Sequence, residues 1–167
     1  MIIVVVVVLA YSISYNSSLP PVVLPNYLNQ CISLTEPSVY VSLPTIQIFV
    51  RGRAFPIPAN IGVSGPVGSC IRPINTRANT GLIHINALEN RDYTVRDFFL
   101  VWGATYGPTY AIFSRSQIFT YKADADHNIT MTVNGYPDPY PAYEDTPFPH
   151  NANDTAGIPF NIIISYG

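Results

Sequence analysis

The sequence has few charged residues. Asp, Glu, Lys and Arg make up 11% of its 167 residues, against roughly 25% in average soluble domains, and Lys122 is the single lysine. The formal net charge of −2 gives no basis for binding nucleic acid or an anionic membrane surface. Because carboxylates are scarce, little of the folding stability depends on keeping them ionised, which suits an acidic or hot extracellular habitat.

The residues that build catalytic and metal centres are also scarce. The three histidines, His84, His127 and His150, stand far apart, and none has a second His or a Cys at metal-ligand spacing. The segment GVSGP lacks the second glycine of a nucleophile elbow. The segment IGVSGPVGSC lacks the Gly-Lys-Ser/Thr ending of a phosphate-binding loop and is interpreted as a turn. We therefore predict a protein that is not an enzyme and that uses no cofactor.

Two further patterns leave alternatives open. Asp124, Asp126 and Asn128 have the D-x-D-x-N spacing of a calcium loop, but Ile129 occupies the position where such loops have glycine. A polar turn explains the same residues. The single Lys122 raises the alternative of an isopeptide bond to an Asn or Asp side chain, for which the sequence identifies no partner.

Only two cysteines are present, Cys31 and Cys70. Such a pair, without a redox or metal motif, predicts one disulfide and an oxidising compartment, with two free buried thiols as the alternative. Three N-glycosylation sequons begin at Asn16, Asn128 and Asn153 and predict N-linked glycans as partners. Together these features predict an extracellular protein.

What the sequence does have is an apolar start, MIIVVVVVLAYSISYN. The run over 2–10 is shorter than the 20 or so residues that span a membrane. No Lys or Arg precedes Arg51, so the positively charged start of a secretory signal is missing. Ile and Val favour strands because their branched Cβ restricts χ1. We predict one long strand, apolar on both faces at first and alternating from Tyr11 onward.

This strand either pairs within its own domain or completes the sheet of a neighbouring copy. The connector SLPPVVLPNYL contains three prolines, and a stiff connector favours the second alternative because it hinders folding back. We predict a donor strand over 1–16, a Pro-rich connector over 17–26 and a globular β domain over 27–167. The predicted donor-strand residues are Ile2, Ile3, Val4, Val5, Val6, Val7, Val8, Leu9, Tyr11, Ile13 and Tyr15.

The rest of the chain is predicted to be mainly β. Alternation of apolar and polar residues predicts strands at SVYVSL, TIQIFV, GLIHINAL, YAIFS, QIFTYKA, ITMTVNG and FNIIISYG. One short helix is predicted over about 94–102, with Thr94 and Asp97 as a capping box, Trp102 on a core-facing side, and Gly103 as its end. The predicted fold class is a β-sandwich-like domain with this one helix.

From about Thr45 to the C-terminus the chain resembles a family of uncharacterised secreted or membrane-anchored prokaryotic proteins, common in archaea. The resemblance is carried by PIPANIGV, Cys70, NTGLIHIN, YTVRDFFLVWG and MTVNG, in that order. Where the family has HTHD this chain has Asn, Thr, Arg and Ala at 75–78, and where the family has Glu it has Asn86; His84 is retained. The resemblance implies a retained scaffold that has lost most of the ligands for any metal the family binds.

The composition and layout are also similar to those of subunits of archaeal extracellular filaments, which are rich in β structure, glycosylated and poor in charge. This similarity implies a structural subunit of a cell-surface filament that joins identical subunits by donor-strand complementation. The alternative from another class is a monomeric secreted β domain that binds a ligand or a metal.

Overall fold

The computed structural model describes residues 19–33, 37–153, 157 and 159–167. The predicted donor strand and Asn16 lie outside the described residues. Within them the fold is mainly β with one long helix, as predicted. The strands are β1 (Tyr40–Ser42), β2 (Thr45–Val50), β3 (Arg53–Phe55), β4 (Val63–Ser64), β5 (Cys70–Ile71), β6 (Ile74–Asn75), β7 (His84–Ala87), β8 (Gln117–Ile118), β9 (Tyr121–Lys122), β10 (Ile129–Val133), β11 (Tyr136–Pro137) and β12 (Asn161–Tyr166). The helices are α1 (Asn26–Asn29) and α2 (Val95–Tyr106), with 3-10 turns at Pro66–Gly68, Pro108–Ala111 and Tyr143–Asp145.

The largest sheet has five strands in the order β11-β10-β12-β2-β3. Its central strand β12 is antiparallel to β10 and parallel to β2. Each of those two strands continues into a hairpin, β10–β11 on one side and β2–β3 on the other. Both hairpins turn on two residues with positive φ, Arg51 and Gly52 in one and Asn134 and Gly135 in the other. These are the dihedrals of type I′ turns, whose twist matches that of paired strands.

A second sheet has the order β1-β7-β6. Within the described residues, both sheets and helix α2 contribute to one hydrophobic cluster. Strand alternation explains the sheet contributions, because every second residue of β2, β7 and β12 is buried. Fully buried side chains of this cluster include Ile46, Ile48, Ile74, Ile85, Phe98, Phe99, Trp102 and Ile164.

Helix α2 begins where predicted but extends beyond the predicted end. The capping box is present, with the Asp97 carboxylate accepting the Thr94 main-chain N–H at 3.0 Å. Gly103 does not end the helix; it lies inside it, where a Cβ would stand 2.4 Å from the Cβ of Ala111. The glycine is therefore required by close packing. The helix ends before Gly107, whose φ of 114° favours a residue without Cβ.

Two of the predicted strands are wrong in extent. YAIFS begins within the 3-10 turn Pro108–Ala111 and contributes only an isolated bridge from Phe113 to Ile118. QIFTYKA is a tight hairpin of β8 and β9, with Phe119 at a φ of 53° between them. The aromatic side chains here pack on α2, and Phe113 stacks on Phe99 with ring centroids 4.4 Å apart. Core packing, not sheet pairing, accounts for the apolar pattern of these segments.

Candidate functional site

The predicted disulfide between Cys31 and Cys70 is present. It ties the segment after α1 to β5, and next to it the Ile32 N–H donates to the Ile71 carbonyl at 2.8 Å. No described cysteine is free.

The two described sequon asparagines differ in what their side-chain amides do. Asn128 is exposed immediately before β10. Asn153 is half-buried, and its Nδ2 donates to the carbonyls of Leu43 at 2.9 Å and Phe160 at 3.1 Å. Its Oδ1 also accepts the Phe160 N–H at 2.9 Å. Because a glycan is attached to Nδ2, the accessible amide of Asn128 suits glycosylation of the folded chain better than that of Asn153.

The segment around Asp124 is a polar turn. The Asp124 Oδ1 accepts the main-chain N–H of Asp126 at 2.9 Å and that of His127 at 2.8 Å, as in an Asx turn. These bonds, with the His127 side chain, hold the pKa of the Asp124 carboxyl below its usual range. In the part of the chain that the structure describes, no group of three or more His, Cys, Asp or Glu is placed to hold a metal ion. Lys122 is exposed on β9 opposite Gln117, and the isopeptide alternative stays open.

A polar cleft of about 670 Å³ lies at the segment where the resembling family has HTHD. Ser64, Asn75 and Arg77 are among its lining residues. Asn75 is 1% exposed, its Nδ2 donates to the Arg72 carbonyl at 3.1 Å, and its Oδ1 has no hydrogen-bond partner. His84 pairs with Asn75 across the strands, and burial, followed by the charge of Arg77, lowers the pKa of its imidazole. A cleft lined by hydroxyl, amide and guanidinium groups suits a small hydroxyl-bearing molecule.

The two edges of the five-stranded sheet are formed by equivalent hairpins. In each hairpin, the two residues that flank the type I′ turn are joined by main-chain hydrogen bonds. The main-chain nitrogen and carbonyl of the next residue on the outer strand therefore point away from the sheet. That residue is Ala54 in β3 and Pro137 in β11. The second hairpin confirms this alternation, because the N–H of Asp138, one residue further, donates back to the Met131 carbonyl at 3.0 Å.

The residue at this position makes the two edges chemically different. Ala54 is exposed, and no described strand pairs with β3 on its outer side, so it presents a donor and an acceptor. Pro137 has no N–H to donate, a common protection of sheet edges. On the β11 side, the register also directs the main chain of Ile129 outward, directly after the sequon residue Asn128.

An apolar cavity of about 330 Å³ opens at the β3 edge. Phe55 and Pro56 border it on the strand side, and Trp102, Tyr106 and Tyr110 border it on the helix side. The rings of Trp102 and Tyr110 stack with centroids 5.3 Å apart. The Nε1–H of Trp102 is buried and has no hydrogen-bond partner among the described residues. Because this atom is buried, it is not accessible to a molecule in the cavity.

A second cleft, of about 360 Å³, borders the same edge where β2 changes partners. The Ile46 N–H donates to the Gly81 carbonyl at 2.9 Å, whereas Ile48 pairs with Phe55 of β3. Gln47, Phe49 and Ala54 line this cleft, on the sheet face opposite to Ile46 and Ile48. Neither this cleft nor the aromatic cavity is lined by a charged residue.

The β11 edge has a different neighbour, a groove of about 270 Å³ that includes Val133, Asp138 and Phe160. Asp138 is 7% exposed; its Oδ2 accepts the Thr146 hydroxyl at 2.9 Å, and the main-chain N–H of Tyr140 also lies toward the carboxyl. Burial raises the pKa of the Asp138 carboxyl above its usual range. An apolar segment placed in this groove would bury that carboxyl further.

Sequence reasoning did not identify Ala54 or Asp138, and it noted Asn75 only as a departure from the resembling family. The turns that create the two edges carry a readable signal, because Arg51-Gly52 and Asn134-Gly135 both place glycine at the second turn position, as type I′ turns prefer. Nothing local marks Asn75 or Asp138, since their burial arises from packing between distant segments.

No helix within the described ranges is both long and apolar enough to cross a membrane. Comparison of the chain with protein-family models, with curated proteins and with solved structures finds no match in any of the three. The resemblances to an archaeal secreted family and to archaeal filament subunits therefore stay predictions.

Proposed function

We propose that the protein is a structural subunit of an extracellular filament, in which residues 2–15 of one copy add as a β-strand to the sheet of the next. Main-chain hydrogen bonds and apolar pockets hold a strand added in this way. Because the donor segment and the acceptor edge are different surfaces, the contact is head-to-tail and produces a fibre.

The observation that carries the proposal is the outer edge of β3, which no described strand covers. This edge can accept the uncharged apolar run of another copy, which has to be shielded from water. The run over 2–10 has no charged residue, and an exposed segment of this kind is an aggregation hazard unless it has a specific partner. Within the described residues, the core is a cluster of side chains from Leu24 to Tyr166. Fourteen residues at about 3.3 Å each reach roughly 46 Å, enough to extend into a neighbouring copy.

The connector supports pairing between copies. It contains Pro20, Pro21 and Pro25, and Pro25 has the extended dihedrals φ −62° and ψ 155°. Leu19 is 45% exposed and Val23 86% exposed, whereas Leu24 is buried in the core and Val22 packs against it, so the connector is anchored to the domain near its C-terminal end. A stiff, extended connector directs the donor segment away from its own sheet.

The compartment of the proposed filament is the cell exterior. The Cys31–Cys70 disulfide requires oxidising conditions to persist. N-linked glycans on Asn16 and Asn128 would supply polar surface to a chain in which charged residues are 11% of the total. Asn153 is the weakest candidate of the three sequons because its amide is already hydrogen-bonded.

The test is to remove the apolar run from the chain and to examine assembly by electron microscopy. Deletion of residues 1–15 is expected to abolish filaments while circular dichroism shows a folded protein. In the full chain, Val6→Lys places a charge in the run and should have the same effect, whereas the matched variant Val6→Ile should assemble normally. Normal filaments from the deletion or from Val6→Lys would exclude donor-strand assembly through this segment.

A second candidate function rests on Asn75. Its buried Oδ1 has no partner and its side chain lines the polar cleft with Arg77, an arrangement that fits a monomeric ligand-binding domain. In that case light scattering would find a monomer, and Asn75→Ala would change binding of a small hydroxylated compound such as a sugar. Filaments that survive Asn75→Ala unchanged would separate this cleft from assembly.

A further inference from the structure

We infer that the acceptor for the donor segment is the β3 edge, with the main chain of Ala54 pairing with residues 2–9 of a second copy and apolar side chains of that segment entering the cavity beside Trp102. This inference rests on the proposed function, because it identifies the partner surface of the same strand exchange.

The main chain provides the first argument. Ala54 is the residue of the β3 edge whose N–H and C=O both point away from β2, by the register of the hairpin. An added strand would form two hydrogen bonds with it. Two bonds make a short ladder, so side-chain burial must supply most of the affinity.

The cavity provides that burial. Its walls are Phe55, Pro56, Trp102, Tyr106 and Tyr110, and a strand beside β3 would project every second side chain toward this aromatic layer. These walls are aromatic and apolar, so a valine-rich occupant matches them.

The donor segment matches the edge on both of its faces. Residues 2–10 are apolar without alternation, so they require cover on two sides. By strand alternation Phe55 and Ala54 lie on opposite faces of β3; the aromatic cavity includes Phe55 and the second cleft includes Ala54. Neither has a charged lining residue, whereas a third cleft at Ala54 is lined by Arg51 and Arg53, which places the charge of this edge at its turn.

The β11 edge is the competing acceptor, and three features disfavour it. Pro137 lacks the N–H that Ala54 offers. An apolar occupant of the adjacent groove would lie against the carboxyl of Asp138. The outward main chain of Ile129 follows Asn128, where a glycan would stand in the path of an added strand.

The inference is tested by cysteine cross-linking within filaments of the full chain. The native cysteines are joined to each other, so added cysteines are the free thiols. Single cysteines at positions 3 to 8 are each combined with Ala54→Cys, oxidised, and analysed on non-reducing gels. We expect ladders of linked subunits, strongest at every second donor position because successive side chains point to opposite faces. The matched controls, with Tyr136→Cys or Thr130→Cys in place of Ala54→Cys, should give no ladder.

A second pair of variants tests the main chain. Ala54→Pro removes the outward N–H without removing a bond to β2 and should abolish filaments, whereas Ala54→Val keeps the N–H and should assemble. Ladders through Tyr136→Cys or Thr130→Cys, or normal filaments from Ala54→Pro, would overturn the β3 assignment while leaving strand exchange intact. Normal filaments from Val6→Lys would instead overturn strand exchange itself.

Discussion

The two edges of the five-stranded sheet are the same structure with different chemistry. Each is a hairpin closed by a type I′ turn, and each turn is fixed to β12: the Arg51 N–H donates to the Tyr166 carbonyl and the Asn134 N–H to the Asn161 carbonyl. At the equivalent outward position one edge has Ala54 and the other Pro137. The cavity beside the β3 edge is lined by aromatic residues and prolines, whereas the groove beside the β11 edge includes the carboxyl of Asp138.

This difference explains how a linear fibre is possible. A subunit with one donor segment and one acceptor edge extends in a single direction, because each copy occupies one edge and offers one segment. A subunit with two acceptor edges would branch or aggregate. Proline and a buried carboxyl at the second edge are therefore as important to the proposed assembly as the N–H of Ala54 at the first.

The largest stability effect should come from the disulfide and should not distinguish the edges. Replacing both Cys31 and Cys70 by Ser opens a loop with a sequence separation of 39 and is expected to lower the free energy of unfolding by about 3–4 kcal/mol in the chain-entropy model. Urea unfolding measures this. Below its unfolding temperature, the variant with an added cysteine at positions 3 to 8 should still form linked subunits when Ala54→Cys is present. It should form none when Tyr136→Cys takes the place of Ala54→Cys. A change of edge in this variant would mean that the disulfide, not the edge chemistry, selects the acceptor.

The sequence predicts much of this fold but not the contrast between its edges. Strong alternation in TIQIFV, ITMTVNG and FNIIISYG predicts β2, β10 and β12, and the capping box predicts the start of α2. Gly103 misleads because its role, close contact with Ala111, depends on tertiary packing. That β3 and β11 form the two edges is also invisible locally, since it follows from the strand order around β12.

A smaller effect is expected from Asp138→Asn at the β11 edge, and it should depend on pH. Burial raises the native pKa of Asp138 above its value in the unfolded chain. Its contribution to stability is therefore fully present below the ordinary carboxyl pKa of about 3.9 and is lost as the pH rises through the raised native value. Relative to the native protein, Asp138→Asn should gain a few degrees in unfolding temperature toward pH 7 and lose that advantage toward pH 3.

Asp124→Asn is the matched control of opposite sign. Hydrogen bonds from main-chain N–H groups lower the pKa of Asp124, so its contribution is present above the unfolded pKa and is lost as the pH falls through the lowered native value. This variant should be destabilised at neutral pH and should converge with the native protein in acid. Thermal unfolding scanned over pH measures both variants, and slopes of the same sign would contradict the contrast between a buried and a turn-capping carboxyl.

The smallest effect should come from Pro137→Ala, which gives the second edge the same main-chain N–H as the first. The free energy of unfolding should fall by about 0.4–1 kcal/mol, because alanine leaves the unfolded chain more conformational freedom. We expect filaments to stay unbranched in electron micrographs, and Tyr136→Cys in this background to give no ladder, since the groove beside Asp138 still offers a buried carboxyl to an apolar segment.

Branched or bundled filaments would show instead that the missing N–H alone closes this edge. In that case the double variant Pro137→Ala with Asp138→Asn should branch no more than Pro137→Ala, whereas branching that requires both substitutions would assign the closure to the carboxyl as well.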